Sequence, residues 1–98
     1  MICFDVFRNN ERLCRAGIGD AGVLSTILTW TGRQGDSGPA RSRLNLVVGG
    51  LHNPAPTVDA YLRWVELFDL QPGDEITIRI VESPEADAPS SEERTPHE

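Results

Sequence analysis

Lysine is absent from this 98-residue chain, and all nine basic residues are arginine. That absence excludes a Walker-type phosphate loop, which needs a Gly-Lys-Ser/Thr run. It also fits the codon bias of a GC-rich bacterial or phage genome. Cysteine is scarce: Cys3 and Cys14 make no disulfide framework, and in a reducing compartment both are expected to be free thiols. Histidine is limited to His52 and His97, and no C-x-x-C or H-x-x-x-H spacing occurs, so neither metal nor cofactor is expected. No apolar run approaches the roughly 20 residues that cross a bilayer. The N-terminus lacks a basic segment followed by a long apolar one, so neither a secretory signal nor a membrane partner is expected. A cytoplasmic protein is the resulting expectation.

The charge is unevenly placed. The net charge is −6, but residues 1–81 carry nine acids against eight arginines, while residues 82–98 carry six acids against Arg94 alone. A nearly neutral body argues against a nucleic-acid binder, although Arg8, Arg12, Arg15, Arg33, Arg41 and Arg43 could supply a local basic patch. The acidic stretch 82–98 has no aromatic or large aliphatic residue. Ordering it would cost conformational entropy with little burial, so it reads as a disordered tail behind a globular domain at 1–81.

The apolar pattern of the body predicts strands. ICFDVFRNNERLCRAGI reads as a hairpin turning at Asn9-Asn10, residues that tolerate positive φ. A three-residue loop sets Phe4 opposite Ala16, Val6 opposite Cys14 and Asp5 opposite Arg15. A two-residue loop mixes polar and apolar residues on each face, so the first register is preferred. VLSTILTWT and RLNLVVGGL form the next pair, with Trp30 on Leu44, Leu28 on Leu46 and Thr26 on Val48. Asn53-Pro54-Ala55-Pro56 is expected to break the sheet. Thr57 then caps a helix reaching Asp69, with Val58, Tyr61, Leu62, Val65 and Phe68 as its buried stripe. That stripe leaves Trp64 half exposed at the helix edge, whereas Trp30 lies under the helix. DEITIRIVE closes the domain as a strand with Ile76, Ile78 and Ile80 inward. The expected fold is α+β: a roughly five-stranded, mostly antiparallel sheet with one helix on one face.

Several motifs fail on context. Gly35-Asp36-Ser37-Gly38-Pro39 resembles the signature around the nucleophilic serine of chymotrypsin-like proteases. It lacks the second glycine, and a chain of this length cannot form that family's two barrels with a histidine and carboxylate to match. These residue types also make any tight loop. Gly17-Ile18-Gly19-Asp20-Ala21-Gly22 has dinucleotide-fold spacing but leads into a strand rather than a helix. A small enzyme working near the 33–41 loop would have only Arg33, Asp36, Ser37, Arg41 and His52, with no spacing that implies chemistry.

The sheet face away from the helix is more informative. Phe7, Leu13, Arg15, Ile27, Arg43, Val47, Arg79 and Val81 place apolar groups among arginines, a mixture that partner-facing surfaces favour. The sequence therefore predicts a non-enzymatic protein-binding module of the adaptor, inhibitor or immunity type. It would act through this face or an edge strand, on a protein partner or on a second copy of itself.

Overall fold

The computed structural model describes residues 1–19, 21–32, 43–55 and 58–96. Among them the chain forms seven strands and no helix: β1 (Ile2–Arg8), β2 (Glu11–Gly17), β3 (Gly22–Thr31), β4 (Arg43–Ala55), β5 (Val58–Asp69), β6 (Ile76–Glu82) and β7 (Ser91–Pro96). They make two antiparallel sheets, one ordered β2-β1-β6 and the other β3-β4-β5-β7. The α+β expectation is thus corrected to an all-β, two-sheet architecture.

The first hairpin uses both registers that its sequence allows. Phe4 faces Ala16, Asp5 faces Arg15 and Val6 faces Cys14, after which the pairing slips to put Phe7 on Arg12 and Arg8 on Glu11. Leu13 is the extra residue of this bulge. The slip reconciles an apolar face fixed by Val6 and Cys14 with a two-residue turn in which Asn9 and Asn10 adopt φ of 50° and 72°. The β3–β4 pairing places Trp30 on Leu44, Leu28 on Leu46 and Thr26 on Val48, as their apolar pattern implies. β4 does not stop at Asn53-Pro54. It runs on to Ala55, which pairs with Val58.

The expected helix at 57–69 is the strand β5, and its bulges explain its helical appearance. Pairing with β4 slips near Trp64 and again before Phe68, and Leu67 near the second slip has a φ of 41°. Each extra residue moves later side chains to the opposite face. Inward positions therefore run Ala60, Leu62, Trp64, Val65 and then partly buried Phe68. Leu62, Val65 and Phe68 thus fall three residues apart, although the underlying period is two and is broken twice. Thr57, the expected cap, lies outside the described residues.

The inner faces of both sheets share one core. Val6, Cys14 and Ala16 meet Leu46, Val48, Ala60, Leu62, Trp64 and Val65, with Ile18, Leu24 and Ile76 packed around them. The chain passes from one sheet to the other between Gly17 and Gly22, and Gly22 is needed there because a Cβ would collide with the Leu51 carbonyl oxygen. β5 leads to β6 through Gln71-Pro72-Gly73-Asp74, where Gly73 has a φ of 97° and the Asp74 N–H donates to the Gln71 carbonyl at 3.0 Å.

The stretch expected to be a disordered tail lies against both sheets. The Asp87 N–H donates to the Arg15 carbonyl at 2.9 Å and the Ser90 N–H to the Arg63 carbonyl at 2.7 Å; β7 then pairs along β5. Backbone capture at existing strand edges supplies the order that its side chains cannot. This polar strap closes the β2–β5 side of the two sheets. Among the described residues no segment covers the β3–β6 side. Trp30, Ile78 and Ile80, expected inside, are 68%, 46% and 71% exposed there, whereas Trp64, expected half outside, is buried. No helix among the described residues is long and apolar enough to cross a membrane.

Candidate functional site

Because the chain makes two sheets, the single face expected from the sequence divides in two. Ile27 and Val47 lie directly opposite one another on the outer face of the four-stranded sheet, with Arg43 farther along opposite Thr31. Phe7, Arg15, Arg79 and Val81 lie on the outer face of the three-stranded sheet. Leu13, displaced by its bulge, packs partly buried against the core instead.

The half on the three-stranded sheet is largely committed to holding the strap. The Arg15 guanidinium donates from Nε to Asp5 Oδ1 at 2.7 Å and from Nη2 to Asp5 Oδ2 at 2.9 Å. Asp5 is buried. Its hydrogen bond from Arg15 outweighs the cost of burial and holds its carboxyl below the ordinary aspartate range. Arg15 also uses its backbone N–H on Asp87 Oδ2 at 2.8 Å, while the Trp64 indole N–H donates to the Asp87 carbonyl at 2.8 Å. Arg79 lies over the Phe7 ring at 5.1 Å. Cys3 and Cys14 are free and buried. Burial first, and then Asp87 and Asp5, push the Cys14 thiol up to about 11, so it stays protonated near neutrality. Arg8 bonds Asp74 at 3.3 Å and stacks on Phe68 at 5.5 Å. Arg8 and Arg15 of the basic patch considered from the sequence are thus tied into ion pairs.

The half on the four-stranded sheet forms a groove of about 350 Å³. Val23 and Ile27 of β3, Val47 and Leu51 of β4 and Tyr61 of β5 give it apolar walls, and Ser25 and Arg63 are its polar margin. The strand registers align these residues: Val23 faces Leu51, which faces Tyr61, while Ser25 faces Gly49, which faces Arg63. Gly49 lets the Arg63 side chain lie flat across the sheet. A Cβ on Gly49 would stand 2.8 Å from Arg63 Nη1 and 2.9 Å from its Cδ. Arg63 Nη1 donates to the Leu62 carbonyl at 3.1 Å, which anchors the guanidinium beside the groove.

The lining of this groove is mainly apolar. Its lining has no histidine, cysteine or carboxylate, and Ser25 has no base beside it. No group of three or more His, Cys, Asp or Glu side chains among the described residues is arranged to hold a metal ion. Arg33, Asp36, Ser37 and Arg41, weighed for an enzyme, lie outside the described residues with the whole GDSGP stretch; His52 sits half-buried on β4. Sequence reasoning missed Tyr61 and Arg63 because it put 58–69 in a helix, with Tyr61 inside and Arg63 on the wet side. The alternation of Ala60, Leu62 and Trp64 with Tyr61 and Arg63 was the signal that could have found them. Comparison with known proteins finds no family model, no curated protein and no solved structure that matches this chain.

Proposed function

We propose that this chain is a small non-enzymatic protein-binding module whose docking face is the outer groove of the four-stranded sheet. The observation that carries the reading is the row of Val23, Ile27, Val47, Leu51 and Tyr61 around the Gly49 floor, with Val23 60% and Ile27 52% exposed. An exposed apolar strip with an arginine at its margin supports this reading, since such patches favour partner contact. The matching partner presents an apolar side chain to the groove and a carboxylate to Arg63. The free, buried thiols fit a reducing compartment such as the cytoplasm.

Selection from a displayed random-peptide library tests this reading. The wild-type chain should enrich sequences with a large apolar residue next to Asp or Glu. Val47→Asp should abolish that enrichment without lowering the melting temperature by more than a few degrees. Arg63→Ala should keep the apolar preference and lose the acidic one. Enrichment that survives Val47→Asp, or none at all with wild type, would remove the groove from consideration.

A further inference from the structure

A second surface stands apart from the groove. β6 is the edge of the three-stranded sheet, and its pairing with β1 runs from Ile2 on Glu82 to Arg8 on Ile76 with no slip. The direction of its backbone groups follows from two flanking contacts. The Ser83 N–H donates to the Met1 carbonyl, and the Asn9 N–H to the Glu75 carbonyl, both at 2.9 Å. Odd-numbered residues therefore turn their backbone groups to β1. By the alternation of an antiparallel ladder, Ile76, Ile78, Ile80 and Glu82 turn theirs to the outer edge. No described strand pairs there.

Edges are usually blunted by proline, bulges, charge or a covering segment. Asp87 covers the β2 edge at Arg15, and β7 is short, bears Glu92, Glu93 and Arg94, and ends at Pro96. Among the described residues β6 has no such device. Arg79 is its one charge before Glu82, and it is drawn back over the Phe7 ring. On the inner side Ile78 and Ile80 are exposed, while Ile76 opens into a cleft with Leu28, Leu44 and Leu70.

We propose that this edge is the seam of a two-fold dimer, in which β6 pairs antiparallel with β6 of a second copy about Ile78. The sequence of the strand selects both occupant and register. A two-fold axis at Ile78 sets Ile78 against Ile78, Ile76 against Ile80 and Thr77 against Arg79. An axis at Arg79 would oppose two guanidinium groups, and one at Ile80 would lay Glu82 against Ile78. Of the two-fold registers open to this strand, only the first sets all three isoleucines against isoleucine, and it opposes no like charges among residues 76–80. The outcome is a continuous six-stranded sheet, β2-β1-β6-β6-β1-β2, which consumes both β6 edges and so closes as a dimer rather than extending into a fibre. This inference does not rest on the groove, which lies on the other sheet.

The test is the solution mass of the full chain by sedimentation, at concentrations up to roughly 0.1 mM, where a small edge interface assembles. Wild type is expected at twice the chain mass. Ile78→Pro deletes an N–H that faces the edge and leaves the β1 ladder its donors, so it should give a folded monomer. Ile80→Lys, at an exposed site, should also give a monomer and guards against a proline variant that does not fold. Thr26→Pro at the β3 edge and Val47→Asp in the groove should both remain dimeric. A wild-type monomer overturns the proposal, as does a dimer that survives Ile80→Lys. So does a dimer lost on Thr26→Pro or Val47→Asp but kept on Ile78→Pro; loss on Val47→Asp alone would place the self-contact in the groove.

Discussion

The two long sides of the molecule are lined by opposite kinds of chemistry. On the β2–β5 side a polar strap with no large aliphatic residue is held closely, because it answers groups that the sheets leave unsatisfied. These are the Trp64 indole N–H, the Arg15 backbone N–H and carbonyl, and the Arg63 carbonyl. On the β3–β6 side the available residues are Leu28, Trp30, Ile78 and Ile80, far better suited to burial, yet all are exposed. Hydrophobicity thus does not decide which side is closed. Unsatisfied backbone and indole groups do so on one side, since leaving them buried without partners is costly. The other side has apolar surface and an edge, but no further segment of the described chain to cover them.

The largest expected effect comes from removing the closed side's strap. A chain ending at Glu82 would lose the Met1–Ser83 and Asp87 contacts, the Ser90 bond and all of β7. Each hydrogen bond contributes about 0.5–1.5 kcal/mol net, offset in part by the entropy of ordering the segment, so a loss of several kcal/mol is expected in urea unfolding. A truncated chain as stable as the whole would mean that the strap is a passenger and that the two sides do not differ as described.

The next largest effect is expected under the strap. Asp5→Ala should cost about 2 kcal/mol, since it strips a charge-assisted pair from Arg15. The pair also gives this side an acid dependence of known sign. The carboxyl of Asp5 is held below its ordinary value in the folded chain. Its contribution is therefore complete above an unfolded-state value of about 3.9 and is lost as pH falls through the depressed folded value. Wild type and Asp5→Ala should differ fully at neutral pH and converge at the acid end of a denaturation series. A gap that stays constant to low pH would assign the effect to packing alone.

How much of this was legible depended on where the strand period stays intact. The β3–β4 register follows from Leu28, Trp30, Leu44 and Leu46 because that pairing has no slip. The body of the first hairpin follows from Val6 and Cys14. Its bulge at Leu13 was hidden, because face and turn each demanded a different register and only a slip satisfies both. β5 was misread because two slips turn alternation into helical spacing. The strap was misread because its order comes from backbone and carbonyl groups, which leave no mark in side-chain composition. Among the odd-numbered site residues Ile27 and Val47 were correctly paired while the bulge moved Phe7 off Leu13, and no local pattern told that the chain changes sheets between Gly17 and Gly22. That change separates Ile27 and Val47 from Phe7 and Arg79.

The smallest expected effect sharpens the contrast most. Ile80→Thr on the open side keeps a β-branched residue in β6 and removes apolar surface that is already 71% exposed. Measured at low chain concentration, so that monomer is compared with monomer, it should change stability by less than about 0.5 kcal/mol. At high concentration the same substitution places a threonine against Ile76 in the proposed β6–β6 register and should weaken association while leaving the monomer untouched. A dilute-chain loss on the order of 2 kcal/mol would instead be the cost of a buried isoleucine. The sheets would then meet over Ile80 in solution, the open side would be core, and the edge at β6 would need no second copy to cover its inner face.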